Sequence, residues 1–318
     1  LTNSIIIGRG SYRHSCPNCG KTNTEDRLQR GLPCPRCIPE EYTTELNDVF
    51  SIYRALKENK TLTQRFNEIV KLEKESEELI QFFYEVVGSL AWGAQRTWSR
   101  RLVRGDSFSI IAPTGVGKTT FGLVASLYLA CRKRSKSYLV FPTTTLVEMA
   151  YKRISTYADN VGCNARIVAI HSKLRKKQRE EALEAFNNRD FEVLITTASF
   201  ARKYIDQLSK IKFKLVFIDD VDAVLRSAKS VDAVLKIVGF SDEDISNGLE
   251  LLRLQRRIAS LRANILRLQL SQRQTTQERL EELKKELLQL EKRAKELDSR
   301  LEGPRKRAST LIVSSATG

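Results

Sequence analysis

The sequence predicts an α/β fold: a parallel sheet with helices on both faces, preceded by a small four-cysteine ribbon and a helical connector. Three observations predict it. From residue 107 onward, short β-branched apolar runs alternate with longer segments whose apolar residues recur at helical spacing. That alternation is expected of a parallel sheet covered on both sides. The first run, 107–111, passes through a turn containing Gly115 and Gly117 directly into an apolar helical segment, 121–131. Ahead of it, two Cys-x-x-Cys pairs stand close together in the chain, the spacing of a metal-held hairpin pair.

A chain of 318 residues has room for about two domains and a sizeable core. Its hydrophobic and charged contents of 41% and 29% are those of a globular chain. No apolar run approaches the ~18 residues of a membrane span. No basic start followed by an apolar stretch and a small-residue cleavage site is present either, so the chain reads as cytoplasmic. It begins at Leu1 and stops at Gly318 just after a strand-like run, which reads as a piece of a longer protein. A net charge of +16 and a pI near 9.7 point to a polyanionic partner, nucleic acid first.

In chain order, Cys16, Cys19, Cys34 and Cys37 come first, with 14 residues between the two pairs. Each pair offers two thiolates from one hairpin, and four together suit tetrahedral Zn²⁺. A span of about 40 residues cannot bury a core, so the metal would supply much of its folding energy. Two disulfides are the competing reading; ligand spacing and the lack of a secretory segment favour zinc. Arg9, Arg13, Lys21, Arg27, Arg30 and Arg36 surround the ribbon and make it a candidate nucleic-acid contact. Two connector helices follow. Leu46, Val49, Ile52, Tyr53 and Leu56 mark the first, and Leu62, Phe66, Ile69, Leu72, Leu79 and Phe83 the second. Gly88 and Gly93 mark a boundary.

The turn after residues 107–111 reads Ala112-Pro113-Thr114-Gly115-Val116-Gly117-Lys118-Thr119-Thr120. Glycines there let backbone N–H groups curl around a phosphate, and the helix start presents its positive dipole end to the same anion. Lys118 would reach the β- and γ-phosphates of ATP, and the Thr119 hydroxyl would help hold Mg²⁺. With Ala112 where the stricter consensus has Gly, this wording resembles the nucleotide loop of superfamily-two helicases. Gln95, 23 residues before Lys118, is similar to the adenine-reading glutamine of DEAD-box-type helicases. A side-chain amide both donates and accepts, which suits the edge of adenine.

The remaining candidate strands are Ser137–Phe141, 166–170, 191–195, 213–218 and 310–314, and the candidate helices between them are 145–157, 174–188 and 200–208. Ligands gather at the carboxyl ends of such strands. There Pro142, Thr143 and Thr144, and then Thr196 and Thr197, resemble helicase motifs Ia and Ib, which grip the phosphates of a tracked DNA strand. Helix capping is an alternative use of those threonines. Residues 173–179 place five positive charges in seven positions, a solvated face or a DNA patch. After 214–218 stand Asp219, Asp220, Val221 and Asp222. Asp219 would hold Mg²⁺ through water, and Asp220 occupies the place of the Glu that polarises the attacking water in related ATPases. Being one methylene shorter, Asp220 leads us to expect slow or conditional hydrolysis. Asp222 would link to Ser315, Ala316 and Thr317.

Between Asp222 and Ser315 lie 92 residues, far more than a sheet connection needs. Leu251, Leu254, Ile258, Leu261, Ile265 and Leu268 form one apolar seam, and Leu283, Leu287, Leu290, Ala294, Leu297 and Leu301 a second, out of phase with it. Thr275 and Glu278 make a capping box that would start a new helix. The spacing predicts an antiparallel helical hairpin of about 25 residues per arm, projecting roughly 35–40 Å and ended by Gly303-Pro304. Arg253, Arg256, Arg257, Arg262, Arg267 and Arg273 make its first arm basic, which favours a DNA contact. Cys131 and Cys163 receive no role.

Taken in order, the ribbon, the connector, Gln95, residues 112–119, Asp-Asp-Val-Asp and Ser315-Ala316-Thr317 resemble the amino-terminal part of the reverse gyrase family. That family joins a helicase-like module to a type IA topoisomerase. The resemblance implies a zinc ribbon at 1–40, a helical connector at 41–90 and a RecA-like ATP-binding domain at 91–318, with the hairpin inserted at about 241–309. It also implies ATP, Mg²⁺ and Zn²⁺ as cofactors and single- and double-stranded DNA as partner. A second RecA-like domain and a topoisomerase domain are expected in the full-length protein. A DEAD-box-like RNA helicase is the alternative enzyme, and a nucleotide-gated DNA scaffold without efficient hydrolysis the alternative of another class.

Overall fold

The structure is a computed structural model that describes residues 10–270 and 277–316. Arg9, Arg273, Thr275 and Thr317 therefore lie outside the described residues, and with Thr275 the expected capping box. The chain forms two compact units, Leu1–Arg104 and Gly105–Gly318.

In the first unit, β1 (Ser11–Tyr12) pairs antiparallel with β2 (Asn23–Thr24), followed by α1 (Glu25–Gln29). Then come α2 (Val49–Glu58), α3 (Gln64–Val87) and α4 (Gly93–Arg104). The ribbon does not fold on a core of its own. Its Cys16, Leu32, Cys34, Cys37 and Ile38 pack with Ile52, Leu56, Phe66 and Val70 of the connector helices. Asn18 fastens the two: its amide donates to Thr61 O at 2.8 Å and its Oδ1 accepts from Thr63 N at 3.0 Å. Arg27, expected on the nucleic-acid surface, is instead 1% exposed. Its Nη2 donates to Ile38 O at 2.7 Å, because α1 turns that face inward onto the chain after Cys37. A left-handed Gly88 (φ 76°) closes α3, the conformation that makes glycine the usual residue at a helix carboxyl end. α4 packs on α3, held in part by Arg100 on Glu73 at 2.6 Å.

The second unit carries β3 (Phe108–Ile111), α5 (Lys118–Lys133), β4 (Ser137–Phe141), α6 (Thr144–Asn160), β5 (Ile167–Ile170), α7 (Lys176–Asn187) and β6 (Val193–Thr197). It continues with α8 (Ala198–Lys203), α9 (Ile205–Leu208), β7 (Leu215–Ile218), α10 (Val221–Val224), α11 (Ala228–Val238), α12 (Asp242–Leu270), α13 (Gln277–Arg307) and β8 (Thr310–Ser315). The strands form one parallel sheet in the order β3-β8-β7-β4-β6-β5, with Phe108 opposite Ile312 and Leu215 opposite Thr310. Every residue of β4 is buried, as a central strand covered on both faces requires. α5 is buried from Phe121 through Ala130 and packs so closely on the sheet that a Cβ at Gly122 would meet the Phe217 ring at 2.6 Å.

Some expected boundaries move. The 191–195 strand is displaced to Val193–Thr197 because Phe191 is a core residue at its approach, packed against Phe213. The single helix expected at 200–208 is divided at Tyr204 into α8 and α9. The insert is the expected hairpin: Leu251 meets Leu297 and Leu301, whereas Ile265 meets Leu283, so its helices run antiparallel. Its arms have 29 and 31 residues, about 45 Å each at 1.5 Å per residue, longer than anticipated. Gly303-Pro304 does not end it. Pro304 is buried within the last turn of α13, and its carbonyl still accepts from Ala308 N at 3.0 Å. Cys131 in the last turn of α5 and Cys163 in the loop after α6, left without a role above, form a disulfide. Among the described residues, no helix is long and apolar enough to cross a membrane.

Candidate functional site

Two sites are built by these elements. In the first unit the Sγ atoms of Cys16, Cys19, Cys34 and Cys37 all lie within 4.8 Å of one another. Individual separations are 3.6 Å for Cys19–Cys34, 3.7 Å for Cys34–Cys37 and 4.0 Å for Cys16–Cys37. A tetrahedral Zn²⁺ with bonds of about 2.3 Å spaces its sulfurs about 3.8 Å apart, so the tetrad fits the ion. All four are free thiols rather than two disulfides. Asn18 Nδ2 donates to Cys37 Sγ at 3.2 Å and Cys34 N to Cys16 Sγ at 3.2 Å, donors that favour sulfur as thiolate. Burial pushes Cys34 and Cys37 up. At Cys16 burial acts the same way, but backbone N–H groups of Cys34, Cys19 and Asn18 outweigh it and bring the thiol down to about 7.

In the second unit, β3 aims the 112–117 turn at the start of α5. Gly115 (φ 88°) and Gly117 (φ 84°) are both left-handed, which only glycine adopts without strain. Lys118 Nζ donates to Ala112 O at 2.6 Å and Pro113 O at 2.8 Å, which fixes the ammonium over the loop with a third donor to spare. Across the sheet, Asp219 leaves the end of β7 with both carboxylate oxygens engaged. Thr119 Oγ1 donates to Oδ2 at 2.6 Å and Ser314 Oγ to Oδ1 at 2.5 Å. Asp220 is exposed, with a left-handed backbone (φ 52°, ψ 66°). The Ser315 hydroxyl donates to the Asp222 carboxylate, and Ser315 O accepts from Ala112 N at 3.3 Å. Thr114, Thr120 and Ala316 join Gly115, Gly117, Lys118, Thr119, Asp219 and Asp220 around a cleft of about 490 Å³. Two cleft residues were not anticipated: Ser314, one position before the expected motif, and Arg153, which reaches the cleft from α6 without any motif to mark it. Gln95 belongs to the first unit, where it is buried in α4 and its Oε1 accepts from Trp92 N at 3.2 Å.

The threonines expected on a DNA track divide. Thr143 caps α6, its hydroxyl accepting from Leu146 N at 3.3 Å, beside half-buried Pro142. Thr144 meets Ser172 Oγ at 3.3 Å, and Thr197 meets Ser199 Oγ at 2.9 Å. Thr196 cannot serve there. It is fully buried, its hydroxyl shared with Tyr138 OH at 2.7 Å across β4 and β6.

A family model described as reverse gyrase zinc finger matches residues 10–56, and one described as DEAD/DEAH box helicase matches residues 93–247. "Reverse gyrase 1" of Aeropyrum pernix is 52% identical over 319 residues, covering 100% of this chain and 23% of that protein. The chain belongs to the reverse gyrase family. Other members agree: "Reverse gyrase" of Pyrobaculum aerophilum is 42% identical over 78% of this chain and 20% of its own length. "Reverse gyrase 1" of Aquifex aeolicus is 37% identical over 95% of this chain and 23% of its own. The chain thus spans 20–23% of the length of these reverse gyrases. Among solved structures, the RNA helicase Prp28 from Chaetomium thermophilum bound to ADP is 19% identical, covering 52% of this chain and 41% of its own at a TM-score of 0.41. Within the reverse gyrase family, the second unit is the RecA-like, P-loop ATPase domain of helicase type, and the four-cysteine ribbon is the zinc finger.

Proposed function

We propose that the chain binds ATP with Mg²⁺ on residues 112–120 and DNA along the carboxyl ends of the sheet. In the longer protein it would couple hydrolysis to strand separation and to positive supercoiling by a type IA topoisomerase domain. One observation carries the nucleotide reading: the Asp219 carboxylate is clamped by the Thr119 and Ser314 hydroxyls at the mouth of the loop. Hard oxygen donors so arranged suit a hydrated Mg²⁺, which when bound neutralises charge on the phosphates. Lys118 holds the β- and γ-phosphate oxygens, and the N–H groups of 115–119 cradle them at the start of α5. Asp220 orients the attacking water. Asp222 and Ser315 tie the metal-side loop to the end of β8 and carry the change in phosphate occupancy outward. Thr143, Thr144 and Thr197, with Pro142, line the DNA track.

A second RecA-like domain would complete the other wall of the ATP site, so turnover by this chain alone is expected to be slow. Titration with a fluorescent ATP analogue tests the reading. Lys118→Ala should weaken binding by about 10- to 100-fold, the loss of one charge-assisted contact. Thr119→Ala and withdrawal of Mg²⁺ should each weaken it, and together no more than either alone, because they remove one shared interaction. Unchanged binding by Lys118→Ala would sink the reading.

A further inference from the structure

Beyond the carboxyl ends of β5 and β6 lies a second, smaller cleft of about 190 Å³, whose walls include His171, Ser172, Arg179, Thr197, Ser199 and Lys203. Three cationic or potentially cationic side chains and the hydroxyls of Thr144, Ser172, Thr197 and Ser199 thus line it, together with Phe200 and Tyr204, stacked at 4.3 Å. Cationic and hydroxyl side chains with no carboxylate among the lining residues are the chemistry of an oxyanion site. His171 supplies the independent observation. Its side chain is 6% exposed, yet Nδ1 makes no hydrogen bond among the described residues; Glu148 Oε1 stands 3.6 Å away, at ion-pair distance. A buried polar atom left so is costly in a finished core and intelligible in a site that receives a ligand.

The charges facing His171 come from every element around it. Glu148 faces it from α6, Lys173 from the loop after β5, Arg179 from α7 and Lys203 from α8. Burial holds the imidazole below its ordinary value; Glu148 opposes that and Lys173 adds to it. Burial thus favours the neutral ring in the free protein. Arg179 makes no ion pair among the described residues, and Lys203 lies 5.4 Å above the Tyr204 ring, so both cations are open to an anion.

We infer that this cleft is a proton-linked phosphodiester site, in which Arg179, Lys203 and the hydroxyls hold a DNA phosphate and His171 takes up one proton as the phosphate binds. The inference rests on the DNA reading above and adds its regulation. An anion in contact with imidazole favours the charged ring, so the bound site has a higher pKa than the free one. Between those two values affinity falls as pH rises; outside them it is flat. One linked proton limits the slope to about tenfold per pH unit.

The test is anisotropy of a fluorescein-labelled DNA strand at fixed ionic strength, from about pH 5 to about pH 9 to span the imidazole range. Calorimetry in two buffers of different ionisation enthalpy counts the protons taken up by the unmutated chain. Affinity should fall with rising pH, and binding should absorb up to one proton. His171→Gln should abolish both effects, whereas Arg179→Ala should weaken binding at every pH and keep the slope. The only other histidine, His14, is the control, and His14→Gln should change neither effect. If DNA binds with no pH slope and no proton uptake, or the slope survives in His171→Gln, the inference fails and the DNA reading stands. If the unmutated chain binds no DNA at any pH, both fail.

Discussion

At the scale of single residues, Asp220 connects backbone conformation to catalytic choice. Its left-handed backbone (φ 52°) is one that Asp and Asn populate far more readily than longer side chains. The strain follows from geometry at the end of β7: Asp219 must face Thr119 and Ser314, and α10 begins immediately afterwards. A shorter acid at this position is therefore a consequence of local folding as well as of chemistry. Because the side chain is exposed, Asp220→Glu changes little but the backbone preference. It should lower stability by about 1 kcal/mol, read by denaturant unfolding, while Asp220→Asn leaves stability unaltered. Equal stability of the Glu variant would remove the conformational explanation. The Cys tetrad and residues 112–119 were legible in the sequence because their chemistry is written in local spacing. Thr196 was not, because the face it presents is set by strand register, which buries it against Tyr138, a residue 58 positions away. Arg27 was misread for the same reason: charge is local information, and burial is not.

Among elements, α5 shows how a motif is supported from behind. Its start carries Lys118 and Thr119, its middle is buried on all sides, and its last turn is tied through Cys131 to Cys163 after α6. No sequence pattern pairs two cysteines 32 residues apart, so the bridge became visible only when the helices were packed. Closing a loop of that length restricts the unfolded chain by about 3–4 kcal/mol in the chain-entropy account. Cys131→Ser should thus lower the melting temperature, and a reductant should do the same to the unmutated chain but not to the variant. Alkylation after zinc chelation and denaturation offers a direct count. Without reductant four of the six cysteines should be labelled, and with it all six; six labelled without reductant would mean that the bridge does not form. The hairpin helices were more legible than this bridge because their seams repeat along the chain. The end of α13 was not: Pro304 brings no N–H to the helix, yet its carbonyl still accepts from Ala308 N, and the helix runs on to Arg307.

For the whole molecule the question is where the excess positive charge acts. Residues 251–302 of the hairpin carry 13 Lys and Arg against 8 Asp and Glu, a net +5 of the chain's +16. Part of that charge is already engaged between the arms: Arg257 binds Glu286 at 2.5 Å, Arg262 binds Glu291 at 2.7 Å and Arg293 binds Glu250 at 2.9 Å. Exposed pairs of this kind add little stability, yet they reduce the charge the arm can offer to a phosphate backbone. The basic appearance of the first arm in the sequence therefore overstates its use as a DNA contact, and most of the available charge lies outside the hairpin. Each phosphate neutralised on duplex DNA adds about 0.9 to the slope of log affinity against log salt. Leu251 packs against Leu301, so a short Gly-Ser linker can replace residues 251–302 without stretching the chain. The shortened protein should keep more than half of the parent's salt slope and most of its affinity for a duplex, measured by anisotropy over a salt series. A slope that collapses on deletion would instead make the hairpin the principal DNA contact, with the clefts at the sheet's carboxyl edge in a secondary role.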